Sequence, residues 1–222
     1  MRLIIKFTKG KEVRFVSHLD MLRLFQRAFR RARLPLAFSQ GFNPHPLMSF
    51  ATALSVGFTS EGEYLDVILT SDYPPQKLKE EVNNALPEGV RITEVFDAGD
   101  SKASLTSVMR SAEYSIDVRF ADPVPAGAVE SEISEMLSGE ITVLKKTKGG
   151  IKPTDIRPMI LELSVLSCEQ GRAKLYMKGV LSAESGLNPE LFLGELYKRL
   201  GTTGSADINR LSVEMELDKI IF

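Results

Sequence analysis

Apolar and polar residues alternate over residues 2–7, with Leu3, Ile5 and Phe7 on one face. Over 17–33 the apolar spacing changes to three and four, which predicts a strand followed by a helix. Short strands are expected near 36–39, 48–56 and 63–70, then a helix at 75–86 and a strand at 90–97. Ser17 and Asp20 form a possible capping box for the first helix. Pro74-Pro75 opens the second, with Leu78, Val82 and Leu86 four residues apart. In strand 48–56, Met48, Phe50, Thr52, Leu54 and Val56 alternate with small Ser49, Ala51, Ala53 and Ser55.

The stretch AGDSKASLTS, 98–107, is small and polar and reads as a linker. The order then recurs: a strand near 112–120, a helix at 126–138, strands near 140–147, 159–167 and 172–181, a helix at 188–200 and a strand at 208–217. Both halves read β-α-β-β-β-α-β, a ferredoxin-like unit with one extra strand. The expected fold class is α+β, as two tandem ferredoxin-like domains. The basic N-terminal domain covers 1–97, a linker 98–110 and the C-terminal domain 111–222.

Composition narrows the function classes. The chain of 222 residues is 43% apolar, enough for one large core or two small ones. No apolar run reaches the roughly 18 residues of a membrane span, and MRLIIKFTKGK lacks the features of a signal peptide, so a cytoplasmic protein with no membrane partner is expected. The one cysteine, Cys168, cannot form an internal disulfide, and no Cys/His spacing matches a zinc or iron–sulfur site. No cofactor is expected in this chain; metal chemistry would belong to a partner.

Charge is distributed unevenly. The first 50 residues hold ten Lys/Arg against Glu12 and Asp20, a net of +8, while the rest carries 18 bases and 27 acids, a net of −9. A near-neutral average therefore hides a basic lobe, which points to a polyanion, most often nucleic acid. On the first helix, Leu22, Phe25, Phe29 and Ala32 are expected to face the sheet, leaving Arg23, Arg27, Arg30 and Arg31 toward solvent. Guanidinium groups suit phosphate because they donate two parallel hydrogen bonds. The competing reading is a solvated helix face. The matching helix of the second half carries Glu130, Glu132 and Glu135 instead.

Ser39 to Pro46, SQGFNPHP, gathers Gln40, Phe42, Asn43 and His45, and its prolines stiffen it. Such a loop suits single-stranded RNA, with a base stacked on Phe42; otherwise it is a turn whose Phe42 caps a core. It is expected at the surface, beside the N-terminal end of the Arg helix. Lys145, Lys146, Lys148 and Lys152 form a second basic cluster around Gly149-Gly150, followed by Arg157. These border an RNA groove if the halves pack side by side, and are a solvated hairpin tip if not. The nucleic-acid-binding candidates are completed by Arg14 and His18.

No catalytic motif appears. The chain reads as a non-catalytic protein. In the alternative, His18 at a helix start beside Arg14, or His45, is the base of metal-independent RNA cleavage.

Residues 13–67, VRFVSHLDMLRLFQRAFRRARLPLAFSQGFNPHPLMSFATALSVGFTSEGEYLDV, resemble the signature of the bacterial radical-SAM-linked protein family, most strongly in S-H-L-D and S-Q-G-F-N-P-H-P; KPTDIRPMI resembles it more loosely. Members are small domains fused to, or encoded beside, a radical SAM protein. The resemblance implies an RNA-binding accessory subunit that presents RNA to a radical SAM RNA-modifying partner, which would carry the iron–sulfur cluster and S-adenosylmethionine. The duplicated order is also similar to the RAMP endoribonucleases that process CRISPR repeat RNA, whose glycine-rich loop has only Gly201-Thr-Thr-Gly204 as a counterpart here. That likeness implies the nuclease alternative. A third reading is a protein-interaction adaptor of the radical SAM protein.

Overall fold

A computed structural model describes residues 1–125, 127–147, 150–169 and 171–220, with the side chains of all these except Lys146 and Thr147. The chain divides into two compact units: Met1–Arg110 with Arg210–Phe222, and Ser111–Asn209.

The first unit runs β1 (Arg2–Lys9), α1 (His18–Arg31), β2 (Met48–Phe50), β3 (Thr59–Ile68), α2 (Pro75–Asn83) and β4 (Val90–Asp97). β1 lies between β4 and β3, β2 pairs with β3 from outside, and all three pairings are antiparallel. This fourth-first-third-second order is ferredoxin-like. The alternation in β1 and β3 buries Leu3, Ile5 and Phe7 beside Leu65, Val67 and Leu69. α1 covers them with Met21, Phe25, Ala28 and Phe29, and Phe7 and Phe25 meet edge to face at 4.8 Å. Leu22 and Ala32, expected on that face, are only half-buried. The apolar stripe is turned toward Met21 and Ala28, positions related by the same three-and-four spacing.

The short second strand is a departure from expectation. Regular pairing covers Met48 to Phe50 only, after which the chain bends and Gly57 takes a positive φ of 93°. The strand expected at 36–39 reduces to isolated bridges, Leu36 to Leu69 and Phe38 to Pro46. Prolines at 35, 44 and 46 lack the N–H donors that a longer ladder needs.

Residues 98–110, expected as a linker, contain a short helix, α3 (Leu105–Val108), with Leu105 and Val108 buried, and lead into β5 (Met109–Phe120). The second unit continues with α4 (Ala128–Ser138), β6 (Thr142–Thr147), β7 (Gly150–Asp155), β8 (Ile160–Glu169), β9 (Arg172–Val180), α5 (Pro189–Arg199) and β10 (Gly204–Met215). Its strand order is β10-β5-β9-β8, the same fourth-first-third-second arrangement. β6 and β7 form a separate antiparallel hairpin, β7 being a strand that periodicity did not predict. Tyr114, Ile116 and Val118 of β5 pair across from Met177, Leu175 and Ala173 of β9, and all six are buried.

The last strand belongs to both units, residues from Arg210 onward counting with the first. Among the described residues, no helix is long and apolar enough to cross a membrane.

Candidate functional site

The basic helix is well formed. Ser17 is its N-cap: the Asp20 N–H donates to Ser17 Oγ at 3.2 Å, and the hydroxyl donates back to Asp20 Oδ2 at 2.8 Å. The Ser17 hydroxyl, and then Arg23, hold the Asp20 carboxyl below its ordinary pKa. Arg23 pairs with Asp20 at 3.0 Å, and Arg31 donates to the carbonyl of Ala85 at the end of α2. Arg27 and Arg30 are exposed and have no side-chain hydrogen bond or ion pair among the described residues. The expected basic face therefore exists, its two middle arginines without a hydrogen bond or ion pair among the described residues, though the charge of Arg27 also acts on Asp20. Arg33 continues it from the left-handed conformation, at φ 54°, just past the helix end.

The loop from Ser39 to Pro46 is presented to solvent: Gln40, Phe42, Asn43 and His45 are exposed, Phe42 completely. Its base is closed by Phe38 against Pro46 and by the Ser39 N–H donating to His45 O at 2.9 Å. Ser39 Oγ also lies 2.9 Å from His45 Nδ1 and accepts the His45 N–H at 3.1 Å. Phe42 caps no core. The loop is nevertheless not beside the start of α1. Leu36 bridges Leu69, and the Thr70 N–H donates to Pro35 O, which anchors the segment where α1 ends. With 14 residues at 1.5 Å each, α1 is ~21 Å long, so His18 at its start and the His45 loop beyond its end do not share a site.

Around His18 the structure assembles a pocket. It is lined by Phe7, Lys9, Val16, Ser17, His18, Met21, Phe50, Thr52, Leu54 and Glu63. The His18 ring stands edge-on to Phe50 at 5.2 Å. Arg14 is half-buried, with its guanidinium 4.7 Å from the centre of the Phe15 ring. Behind the pocket lies a buried charge cluster. Arg210 donates to both oxygens of Glu63, at 3.0 and 3.1 Å, with both side chains 5% exposed. Lys9 donates to the carbonyls of Arg14 and Val16 at 3.0 and 3.2 Å. Burial pushes the Lys9 ammonium below its usual pKa, opposed by the charge of Glu63.

Sequence reading missed these three charges. Two carried a signal: the alternation Leu3, Ile5, Phe7 reaches Lys9 when extended by one step, and Leu69, Val67, Leu65 reaches Glu63. Arg210 had none, because nothing local marks its burial.

In the second unit, Lys145 stands directly across from Lys152 in the hairpin. Lys152 is exposed, whereas Lys145 is half-buried and donates to Gly186 O at 3.4 Å. Lys146 lies in β6, its side chain beyond the described ones, and Lys148 lies outside the described residues. Arg157 donates to Leu137 O at 2.7 Å and Ile160 O at 3.2 Å, tying the end of α4 to the start of β8. Its guanidinium is committed to the fold. Among the described residues, no group of three or more His, Cys, Asp or Glu is placed to hold a metal ion.

Fold and site together define a tandem ferredoxin-like protein with one strongly basic helix. Residues 2–189 match a family of uncharacterized proteins conserved in bacteria, DUF2344, and the chain belongs to it. No curated protein matches the sequence. Among solved structures, the chain is similar in fold to one in a Cbf5-Nop10-Gar1 complex, with a TM-score of 0.57 and 11% identity, covering 95% of this chain and 48% of that one. It is likewise similar to a chain of an H/ACA RNP bound to a substrate RNA containing 2'-deoxyuridine, with a TM-score of 0.55, 9% identity and coverage of 95% and 47%. A third similar chain comes from the archaeal box H/ACA sRNP Nop10-Cbf5 complex, with a TM-score of 0.52, 9% identity and coverage of 96% and 49%. The chain spans about half the length of each.

Proposed function

We propose that this chain is a non-catalytic RNA-binding subunit that presents RNA to a radical SAM RNA-modifying partner. The observation that carries the reading is the exposed face of α1, where Arg27 and Arg30 make no side-chain hydrogen bond or ion pair among the described residues and Asp20 is the one acid close to Arg23 and Arg27. Isolated cations on one helix face repel one another, and a phosphate backbone relieves that repulsion. Exposed Phe42, stiffened by the loop around it, supplies a platform for a base. Support of a weaker kind comes from the fold, which is shared with chains of RNA–protein complexes. The partner is inferred from the resemblance of residues 13–67 to radical-SAM-linked proteins.

The histidines favour this reading over nuclease activity, because His18 and His45 lie at opposite ends of α1 and neither has the other's help in proton transfer. Absorbance tests RNA binding directly. With no Trp and five Tyr, the protein absorbs weakly at 280 nm, so bound RNA dominates the spectrum. Freshly purified untagged protein is expected to show a nucleic-acid-like 260/280 ratio that ribonuclease treatment abolishes. A protein-like ratio, together with no retention of added single-stranded RNA at low salt, would overturn the reading.

A further inference from the structure

We infer that single-stranded RNA runs the length of α1 and stacks a base on a second aromatic post, Phe15, at the end opposite Phe42; the inference rests on the RNA-binding reading above. Among the described residues, the two most exposed phenylalanine rings are Phe42, completely exposed, and Phe15, 70% exposed. Both flank the basic helix. Phe15 precedes the Ser17 N-cap by two residues, and the Phe42 loop is anchored where α1 ends.

The local chain holds Phe15 outward. Val16, the next residue, packs against the core, so the contact that seats the start of α1 does not need the Phe15 ring. The Arg14 guanidinium lies 4.7 Å from the centre of that ring, and the Gly57 N–H donates to Arg14 O at 2.8 Å, which holds the Val56–Gly57 turn beside it. Val56 is itself 54% exposed. An exposed ring backed by an arginine is a pairing on which a base stacks.

The surface between the two posts is continuous. Leu19, 61% exposed, is followed at steps of four by Arg23 and Arg27 and three further on by Arg30, so these four side chains share one stripe of the helix. With 14 residues at 1.5 Å each, α1 is ~21 Å long, the span of about six nucleotides at ~3.4 Å each. An acidic protein face would answer the arginines and leave the two rings in water, whereas every nucleotide brings a flat base together with a phosphate.

Fluorescence anisotropy of the full chain with labelled oligouridylates of about three to twelve nucleotides tests the track. Affinity should rise steeply up to about six nucleotides and slowly beyond. Phe15→Ala should weaken binding of the longest RNA about tenfold, Phe42→Ala by a similar factor and the double variant about a hundredfold, because sites this far apart act additively. Phe15→Tyr keeps a ring and should bind within about twofold of the unaltered protein. Phe15→Ala binding as tightly as the unaltered protein, while Phe42→Ala binds more weakly, would overturn the second post and leave RNA binding intact. Equal affinity of the unaltered protein for polyglutamate and RNA, with both lost in Phe15→Ala, would assign the patch to an acidic protein and overturn it. Absence of any RNA binding by the unaltered protein would overturn both readings.

Discussion

The two units share a strand order and differ in what they display. In each, four strands run fourth-first-third-second, and the chain makes a hairpin between the first helix and the second strand, at 38–46 in one unit and β6–β7 in the other. Yet α1 carries Arg23, Arg27, Arg30 and Arg31, whereas its counterpart α4 carries Glu130, Glu132 and Glu135 with no base. α5 is followed by Gly201 in the left-handed conformation, the residue most at ease there. α1 is followed by Arg33 in the same conformation, with the Leu34 N–H reaching back to Phe29 O. An arginine there is strained, so the basic face is retained at a cost to the helix end. The fold does not demand positive charge on this helix, since the second unit builds it with the opposite sign.

The largest effect expected from breaking this contrast is at the buried charges, which differ between units as the helices do. Glu63→Ala leaves Arg210 buried without its carboxylate and should cost about 3–5 kcal/mol of folding stability by denaturant titration. In the second unit, Glu132 and Arg199 are partly exposed, and Glu132→Ala should cost less than about 1 kcal/mol. Similar losses from both would show that the pair in the first unit is not buried as described.

Phe42→Ala comes next, and it separates binding from folding. It should weaken RNA binding by about 1–3 kcal/mol while leaving the melting temperature nearly unchanged, because the ring is fully exposed. A loss of about 3–5 kcal/mol in stability would instead place the ring in a core.

A pH dependence tests one hydrogen bond of the first unit. Tyr73 donates to Glu81, and that hydrogen bond raises its pKa to about 12 from 10.0. Between those values the folded state keeps a proton that the unfolded state has released, so this contribution is complete below pH 10 and is lost as pH rises to about 12. Tyr73→Phe should flatten the fall in melting temperature over that window; an unchanged profile would contradict the assignment.

The smallest effect concerns the helix ends. Arg33→Gly should raise stability by about 0.5–1 kcal/mol, while Gly201→Ala should lower it by a similar amount.

Most of the architecture was legible because it rests on local periodicity. β1, α1, β4 and α5 fall where alternation, caps and prolines place them. Where tertiary pairing decides, the reading failed: residues 36–39 and 51–56 have strand-like patterns but no continuous partner, and β7 exists because it pairs with β6. The site divided similarly. Arg27, Arg30 and Phe42 stood out because exposure follows from helical phase and from a proline-bounded loop. The ties of Arg31 to Ala85 and of Arg157 to Leu137 and Ile160, and the burial of Lys9, Glu63 and Arg210, depend on residues distant in the sequence.

The most direct test of the account is the salt dependence of RNA affinity for the unaltered protein and for an Arg27→Glu/Arg30→Glu variant, the two arginines without a side-chain hydrogen bond or ion pair among the described residues. If about four to six phosphates are contacted, log K should fall against log salt with a slope of roughly −3 to −4, and the variant should bind more weakly with a slope shallower by about 1.4. A flat salt response in the unaltered protein, or equal affinity and slope in the variant, would contradict the claim that the basic face of α1 holds RNA.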